Sequence, residues 1–579
     1  MSTILSSDCQ QSLTQLFTQL QTTLEKNSRE DGDWLQQRQS LTLANALLRN
    51  HNLTSEVSSR HIVVVGPTQV GKSTVINHLL GSEQAGVSAL AGYTRHAQGF
   101  MSGSVENQPF ETLFPNWKLV AQNKLDPNNS KQFSLTTLTA NQNETPQQTV
   151  YWDTPDFDSV SSRSYRTIVP NLSAIASVLV LVLSKEKYAD NSVWEFLNLL
   201  APLQLPLIIC LNKADAAHVE VITTEIRERL NDMNCKHEAI ITLPWQDSDT
   251  PSSSETINAL QYTVTSILTQ DRNTPKLATY FRKHWHDWLT PVMAEHQAYT
   301  EWHSSVEQAS GELLSYYQTH YLQQTRYSEA LQRAISKLLE LLEIPILAGT
   351  LGTLRKVITW PVRTLGKTII DSVSEEREKT QTNEVIILTE AYQNALTELL
   401  DKTQQLKHED HPQQQFWWDA VKVNLDQQQH NLQNHAEKNI AQLQHTFEPE
   451  IDAAANRLYQ QLQDQPATLN SLRAARVTTD AAALAVAFHT GGLSATDLVL
   501  APALLSVTSL LAESAVGQHM KVIEKELKEK QFEQVQNNLV KPYLEQPMLD
   551  MTKLLTSENL YNISKDDVNI AERCLSELN

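Results

Sequence analysis

Apolar positions follow two regimes, and the change falls at about residue 276. Before it, short runs rich in Val, Ile and Leu alternate with stretches of helical period. The runs are "HIVVV" (61–65), "TVYW" (149–152), "SVLVLVL" (177–183), "PLIICL" (206–211) and "AIITL" (239–243). They lack the alternation of a half-exposed strand, so they predict parallel strands covered on both faces, within an open α/β sheet. Residues 1–59 read as helix: Leu13, Phe17 and Leu20 recur at three- and four-residue intervals, and "WLQQRQSLTLANALL" precedes the first strand. The stretch 104–148 is polar and rich in Asn, Gln and Thr, which predicts an insertion with surface loops. After 276 no comparable strand run occurs. Long Gln/Glu/Leu/Ala segments keep apolar residues at helical spacing, including "WWDAVKVNLDQQQHNLQNHAEKNIAQLQHTF", and predict a bundle rather than disorder. The expected division is 1–59, packing with the bundle; 60–272, an α/β domain; and 273–579, the all-α helical bundle.

Composition narrows the picture. A chain of 579 residues is long enough for several domains. A net charge of −20 argues against a nucleic-acid partner, because phosphate backbones are bound by clustered Lys and Arg. Cys9, Cys210, Cys235 and Cys574 are scattered without metal-ligand spacing and read as free thiols of a reducing compartment. The start has no basic region followed by an apolar one, so no secretory signal is expected, and the cytoplasm is the expected location. With only 15 glycines in the chain, helix is the expectation outside the α/β domain.

The densest chemistry follows the first strand. "GPTQVGKST" (66–74) fits G-x-x-x-x-G-K-[ST], with Gly66, Gly71, Lys72 and Ser73 in place and Thr74 next to them. The glycines let backbone N–H groups curl around phosphates, Lys72 would reach the β- and γ-phosphates, and the Ser73 hydroxyl would hold Mg²⁺. A helix starting here adds its positive end. "NKAD" (Asn212, Lys213, Ala214, Asp215) directly follows "PLIICL". A carboxylate at Asp215 can accept both N1–H and the 2-amino group of guanine, whereas adenine would leave it unpaired. The expected ligands are therefore GTP and GDP with Mg²⁺.

Between these motifs lies "VYWDTPDFD" (150–158), with Asp153 expected at a strand end, holding Mg²⁺ through water. It resembles the D-T-P-G element of Era- and TrmE-like GTPases, with Asp156 in place of the glycine. The Asp156 N–H could still reach a γ-phosphate, but its carboxylate would lie close to that trianion unless turned away. "AGYTRHAQGF" (91–100) is the expected first switch, with Thr94 a candidate to complete Mg²⁺ coordination. Phe157 stands where small regulatory GTPases carry a water-orienting glutamine, and in this the chain resembles the Era/TrmE group and the dynamins. Those families recruit other groups or dimerise, so the resemblance makes Gln69 and Arg95 candidate catalytic helpers. The expected catalytic set is Gln69, Lys72, Thr94 and Arg95.

An α/β P-loop GTPase domain with a helix before it, a polar insertion and a long helical remainder resembles bacterial dynamin-like proteins. That resemblance implies self-association through the GTPase domain and a membrane-contacting tip. Two segments compete for the tip. Residues 344–370 are apolar, with Arg355, Lys356, Arg363 and Lys367, no acid, and Trp360 as an interfacial anchor, which suits an anionic lipid surface. Residues 481–517 form two apolar arms split by "HTGGLSATD", each shorter than the roughly twenty residues that span a bilayer. The alternative for 344–370 is a buried joint between neck and GTPase domain, and for 481–517 a bundle core. Three functional readings follow. The first is a GTP-hydrolysing dynamin-like protein, peripheral on the inner face of a membrane. The others are an Era/TrmE-like switch whose helices dock a protein or ribonucleoprotein, and a nucleotide-binding scaffold without turnover.

Overall fold

The computed structural model describes residues 5–27, 32–53, 59–87, 94–102, 110–138, 149–157, 168–214, 218–244, 254–270, 276–324, 327–342, 383–408, 414–469, 508–509, 511–553, 555 and 559–578. Its strands are β1 (Arg60–Val65), β2 (Ala97–Ser102), β3 (Lys118–Leu119), β4 (Gln132–Leu138), β5 (Thr149–Asp153), β6 (Val178–Leu183), β7 (Leu207–Ala214) and β8 (Ala239–Pro244). They form one sheet in the order β3-β4-β2-β5-β1-β6-β7-β8, parallel except where β2 meets β5. The five expected apolar runs are all strands. In β1, Ile62 and Val64 enter one hydrophobic layer while Val63 and Val65 enter the other, as a strand covered on both faces requires.

Three strands were not expected. β2 occupies most of the second half of the candidate switch segment, and β3 and β4 lie within 104–148, which read as surface loops. Polar composition conceals an aromatic anchor there: Phe110, Phe114 and Phe133 surround Trp152 of β5 with centroids 6.1, 5.8 and 6.1 Å away. The "insertion" extends the sheet.

The chain divides into two compact units, Met1–Ala294 with Glu558–Asn579, and Glu295–Ser557. The helices of the first are α1 (Ser7–Lys26), α2 (Gly32–Leu53), α3 (Lys72–Leu80), α4 (Phe110–Leu113), α5 (Ile168–Ile175), α6 (Asn191–Leu200), α7 (Val219–Asp232), α8 (Ser254–Thr269) and the first part of α9 (Leu277–Tyr317). α3 and α8 cover the Ile62/Val64 face, and the others named here supply residues to the opposite layer.

The N-terminal helices, expected to pack with the bundle, belong to this unit instead. Leu13, Phe17 and Leu20 of α1 are buried in the Val63/Val65 layer, and Phe17 meets Phe281 and Trp288 at 5.1 Å each. The helical period shows that one face is buried; it does not say against what.

The second unit contains the rest of α9, then α10 (Glu329–Leu341), α11 (Asn383–His408), α12 (Gln415–Gln463), α13 (Gly517–Val535) and α14 (Gln546–Lys553). It is all-helical among the described residues. α12 runs for 49 residues and buries Leu432, Ala436, Ile440, Leu443, Phe447 and Ile451 at three- and four-residue steps. Near the start of α11, Glu384 is buried; it accepts the Tyr317 hydroxyl at 2.7 Å and the Gln444 amide at 3.3 Å. Burial pushes its carboxyl up, and those two hydrogen bonds oppose the shift. The segment 344–370 lies outside the described residues, as does most of 481–517. From the latter, Leu511 and Val516 are buried with Leu342, Leu462 and Met520 in one cluster. No helix among the described residues is long and apolar enough to cross a membrane.

The last helix, α15 (Lys565–Glu577), returns to the first unit and packs on α1. There Cys9 and Cys574 form a disulfide, which corrects the reading of all four cysteines as free thiols. A separation of 565 residues hides such a pairing from sequence. Cys210 and Cys235 are free and buried, and burial pushes the Cys235 thiol up to about 11.

Candidate GTP site

The loop after β1 is built by close approach. A Cβ on Gly66 would stand 2.5 Å from the Val182 carbonyl oxygen of β6, so only glycine lets the chain leave the sheet there. Gly71 has φ +86°, and a Cβ on it would stand 2.4 Å from Asn212 Nδ2. Gly71 caps α3 without a side-chain hydrogen bond, so the cap residue itself satisfies none of the first-turn amides of α3 with a side chain. Such amides and the helix dipole favour an anion.

Two residues from the end of β7 hold this loop from behind. Asn212 Nδ2 donates to the Val70 carbonyl at 2.8 Å, and Lys213 Nζ donates to the Gln69 carbonyl at 2.8 Å. Gln69 and Lys213 both adopt left-handed backbone conformations, φ +61° and +54°. For residues with a Cβ this costs about 1–2 kcal/mol each, and such strain gathers at functional sites. Gln69 and Arg95 are exposed. Asp215 lies outside the described residues, as do 91–93 of the candidate switch. Thr74 lines a cavity of about 880 Å³ shared with Asn77, His78, Asn258 and Gln261.

The hydroxyl and carboxylate groups expected around Mg²⁺ come together. Ser73 Oγ donates to Asp153 Oδ2 at 2.6 Å and lies 3.4 Å from Thr94 Oγ1. Asp153 is 1% exposed, and its Oδ1 has no hydrogen-bond partner. Burial pushes its carboxyl up to about 6; the Ser73 hydrogen bond and the Lys72 charge oppose this, and Asp156 adds to it. A buried carboxylate oxygen without a donor, beside two hydroxyls, fits a hard cation with oxygen ligands. Among the described residues no group of three or more His, Cys, Asp or Glu could hold a metal, and the donors gathered here are a mixed set of hydroxyl and carboxylate oxygens.

Lys72 is buried, and its Nζ donates to the Gly66 carbonyl at 3.1 Å, the Pro67 carbonyl at 3.0 Å and the Asp156 carboxylate. Two further residues hold this segment in place, a packing role the sequence reading did not assign to either. Thr154 Oγ1 donates to the Val64 carbonyl at 2.8 Å and pins the segment after β5 to β1. Phe157 is buried and stacks on Phe196 of α6, with centroids 4.7 Å apart. Its apolar character was the available signal.

Residues 61–213 match the family described as 50S ribosome-binding GTPase. The α/β domain is a GTPase domain. Among solved structures, Era from Aquifex aeolicus bound to GDP and aluminium fluoride is 19% identical, covering 37% of this chain with a TM-score of 0.24. This chain spans 56% of that Era chain. A bacterial dynamin pair, described as oligomerised and as a mechanism for sensing and tethering membranes, is 12% identical, with 94% of this chain and 96% of that chain covered and a TM-score of 0.37. The LeoA bacterial dynamin GTPase from ETEC is 13% identical, with 98% and 93% covered and a TM-score of 0.23. No curated protein matches the chain. Structural neighbours of this chain thus include Era and bacterial dynamin-like proteins.

Proposed function

We propose that the chain binds and hydrolyses GTP and couples the nucleotide state to its helical unit as a dynamin-like protein at a membrane surface. The observation that carries the nucleotide part is the convergence on one loop of Lys72, Ser73, Asp153, Thr94 and Asn212, drawn from four separate elements. Bound Mg²⁺ would neutralise charge that develops on the phosphates. Ser73 and Thr94 would hold it with Asp153, whose free Oδ1 supplies a buried acceptor. Lys72 would bind the β- and γ-phosphates, and Asn212 and Lys213 fix the loop that wraps them. Asp215 would read guanine.

Phe157 is turned into the core against Phe196 and cannot orient water, so that task falls to another group. Gln69, strained and exposed on the loop, and Arg95, exposed beside Thr94, would complete a site across a second copy. Self-association through the GTPase domain follows as the activating step.

For the membrane part, the support is where the two apolar segments are rooted. Leu342 before the first segment, Leu462 and Leu469 before the second, and Leu511 and Val516 at the end of the second belong to or pack on the same hydrophobic cluster. The cationic 344–370 is the favoured lipid contact and gives a peripheral, inner-face location.

Two measurements on the full chain test this. Specific GTPase activity is expected to rise with protein concentration and to vanish in Lys72→Ala. The protein is expected to pellet with anionic liposomes in the presence of a GTP analogue, and less so as Arg355→Glu/Lys356→Glu. No pelleting in any nucleotide state overturns the membrane reading in favour of a soluble switch. No turnover at any concentration overturns hydrolysis in favour of a scaffold.

A further inference from the structure

The phosphate-loop lysine is already fully engaged within the protein. An ammonium has three N–H donors, and those of Lys72 meet three acceptors, the carbonyls of Gly66 and Pro67 and the carboxylate of Asp156. Of these only the last is charged. Both partners of the ion pair are buried, with side chains 5% and 11% exposed. A phosphate oxygen can gain a hydrogen bond from Lys72 only by displacing one of the three.

We propose that Asp156 is a specificity-determining group: its carboxylate stands in for a terminal phosphate on Lys72, so the site favours the guanosine diphosphate over the triphosphate. The proposal rests on the GTPase reading of this site and deepens it. The terminal phosphate must take Lys72 from a carboxylate and then share the neighbourhood with it. Like charges a few ångströms apart repel strongly where water is excluded. The diphosphate lacks that group and can bind Lys72 with less disturbance of the pair.

Asp156 is also poorly placed to retreat. Two residues earlier, Thr154 is tied to the Val64 carbonyl, and the residue after, Phe157, is stacked and buried against Phe196. A triphosphate that displaces the Asp156 carboxylate therefore loads the Phe157–Phe196 contact, and through it α6. A glycine here would offer its N–H alone, with neither the charge nor the restricted backbone.

The test measures affinities of the full-length protein for GDP and for a non-hydrolysable GTP analogue, both with Mg²⁺, by titration calorimetry. Wild type is compared with Asp156→Asn, which keeps the shape and removes the charge, and with Asp156→Gly. Wild type is expected to prefer GDP. Both variants should shift the triphosphate-to-diphosphate affinity ratio toward the triphosphate by about tenfold or more, with GDP affinity changing by less than about threefold. Retained GDP affinity also shows that the variants are folded. A ratio unchanged in Asp156→Asn, with GDP still bound, overturns the proposal and leaves the GTPase reading standing. Failure of wild type to bind either nucleotide overturns both.

Discussion

Replacing Gly71 with alanine tests how the end of β7 is tied to the loop after β1. Alanine at φ +86° carries a left-handed penalty of about 1–2 kcal/mol. Its methyl would also stand 2.4 Å from Asn212 Nδ2, so the amide must move and give up its 2.8 Å bond to the Val70 carbonyl. Leaving that buried pair unmade costs about 1–3 kcal/mol. The single variant should therefore lose about 2–5 kcal/mol, and Asn212→Ala alone about 1–3 kcal/mol. The double variant loses the same hydrogen bond only once. It should cost about 2–5 kcal/mol, not the roughly 3–8 of the summed singles, a coupling of about 1–3 kcal/mol. Urea unfolding of the four proteins, followed by circular dichroism at constant slope, measures each difference. Additivity within about 0.5 kcal/mol would refute the claim that the methyl acts through Asn212. A cost below about 1 kcal/mol for Gly71→Ala would refute the left-handed requirement itself.

Two further outcomes follow from the first unit. The Cys9–Cys574 disulfide closes a span of 565 residues, for which the chain-entropy relation gives about 6 kcal/mol as a ceiling. Reductant, or Cys9→Ser, should lower that unit's melting temperature by several degrees; identical melting curves would show that the bond contributes nothing. His284 is buried against Tyr280 and Trp288, and its pKa is lowered to about 4, chiefly by burial and then by the Lys283 charge, with Asp287 opposing. Because the fold holds this imidazole neutral, its contribution is present above the unfolded pKa of 6.5 and is lost as pH falls from there toward 4, by at most about 3 kcal/mol. His284→Phe should flatten that part of the pH–stability curve; an unchanged curve would rule His284 out as its source.

What could be read from the sequence depended on whether a local constraint leaves a local mark. β1, β6 and β7 are covered on both faces, so their runs 62–65, 178–183 and 207–211 are apolar throughout and announce themselves. β3 and β4 lie toward the sheet's edge and keep polar residues, so a stretch that anchors Phe133 beside Trp152 read as loop. The phosphate loop was legible because glycine at fixed spacing encodes backbone geometry: the left-handed turn at Gly71 and the close approach at Gly66. The partners of α1 were not legible, because an amphipathic period specifies a buried face and leaves its cover open. Neither was the Cys9–Cys574 pairing, which exists only once α15 has returned to α1.

The segment after β5 shows the limit most clearly. Read along the chain, Asp156 and Phe157 are two separate losses, a glycine that should admit the γ-phosphate and a glutamine that should orient water. In the fold they are adjacent parts of one arrangement. Asp156 supplies a carboxylate to Lys72, and Phe157 holds the backbone that carries it by stacking on Phe196. Each substitution makes physical sense given the other. A carboxylate on a mobile loop would leave Lys72 readily, and an anchored loop without the carboxylate would have nothing to withhold from a phosphate. If the Asp156 carboxylate competes with the terminal phosphate as proposed, the pair turns a position that would respond to that phosphate into one that resists it, and GTP binding would load α6 through Phe157.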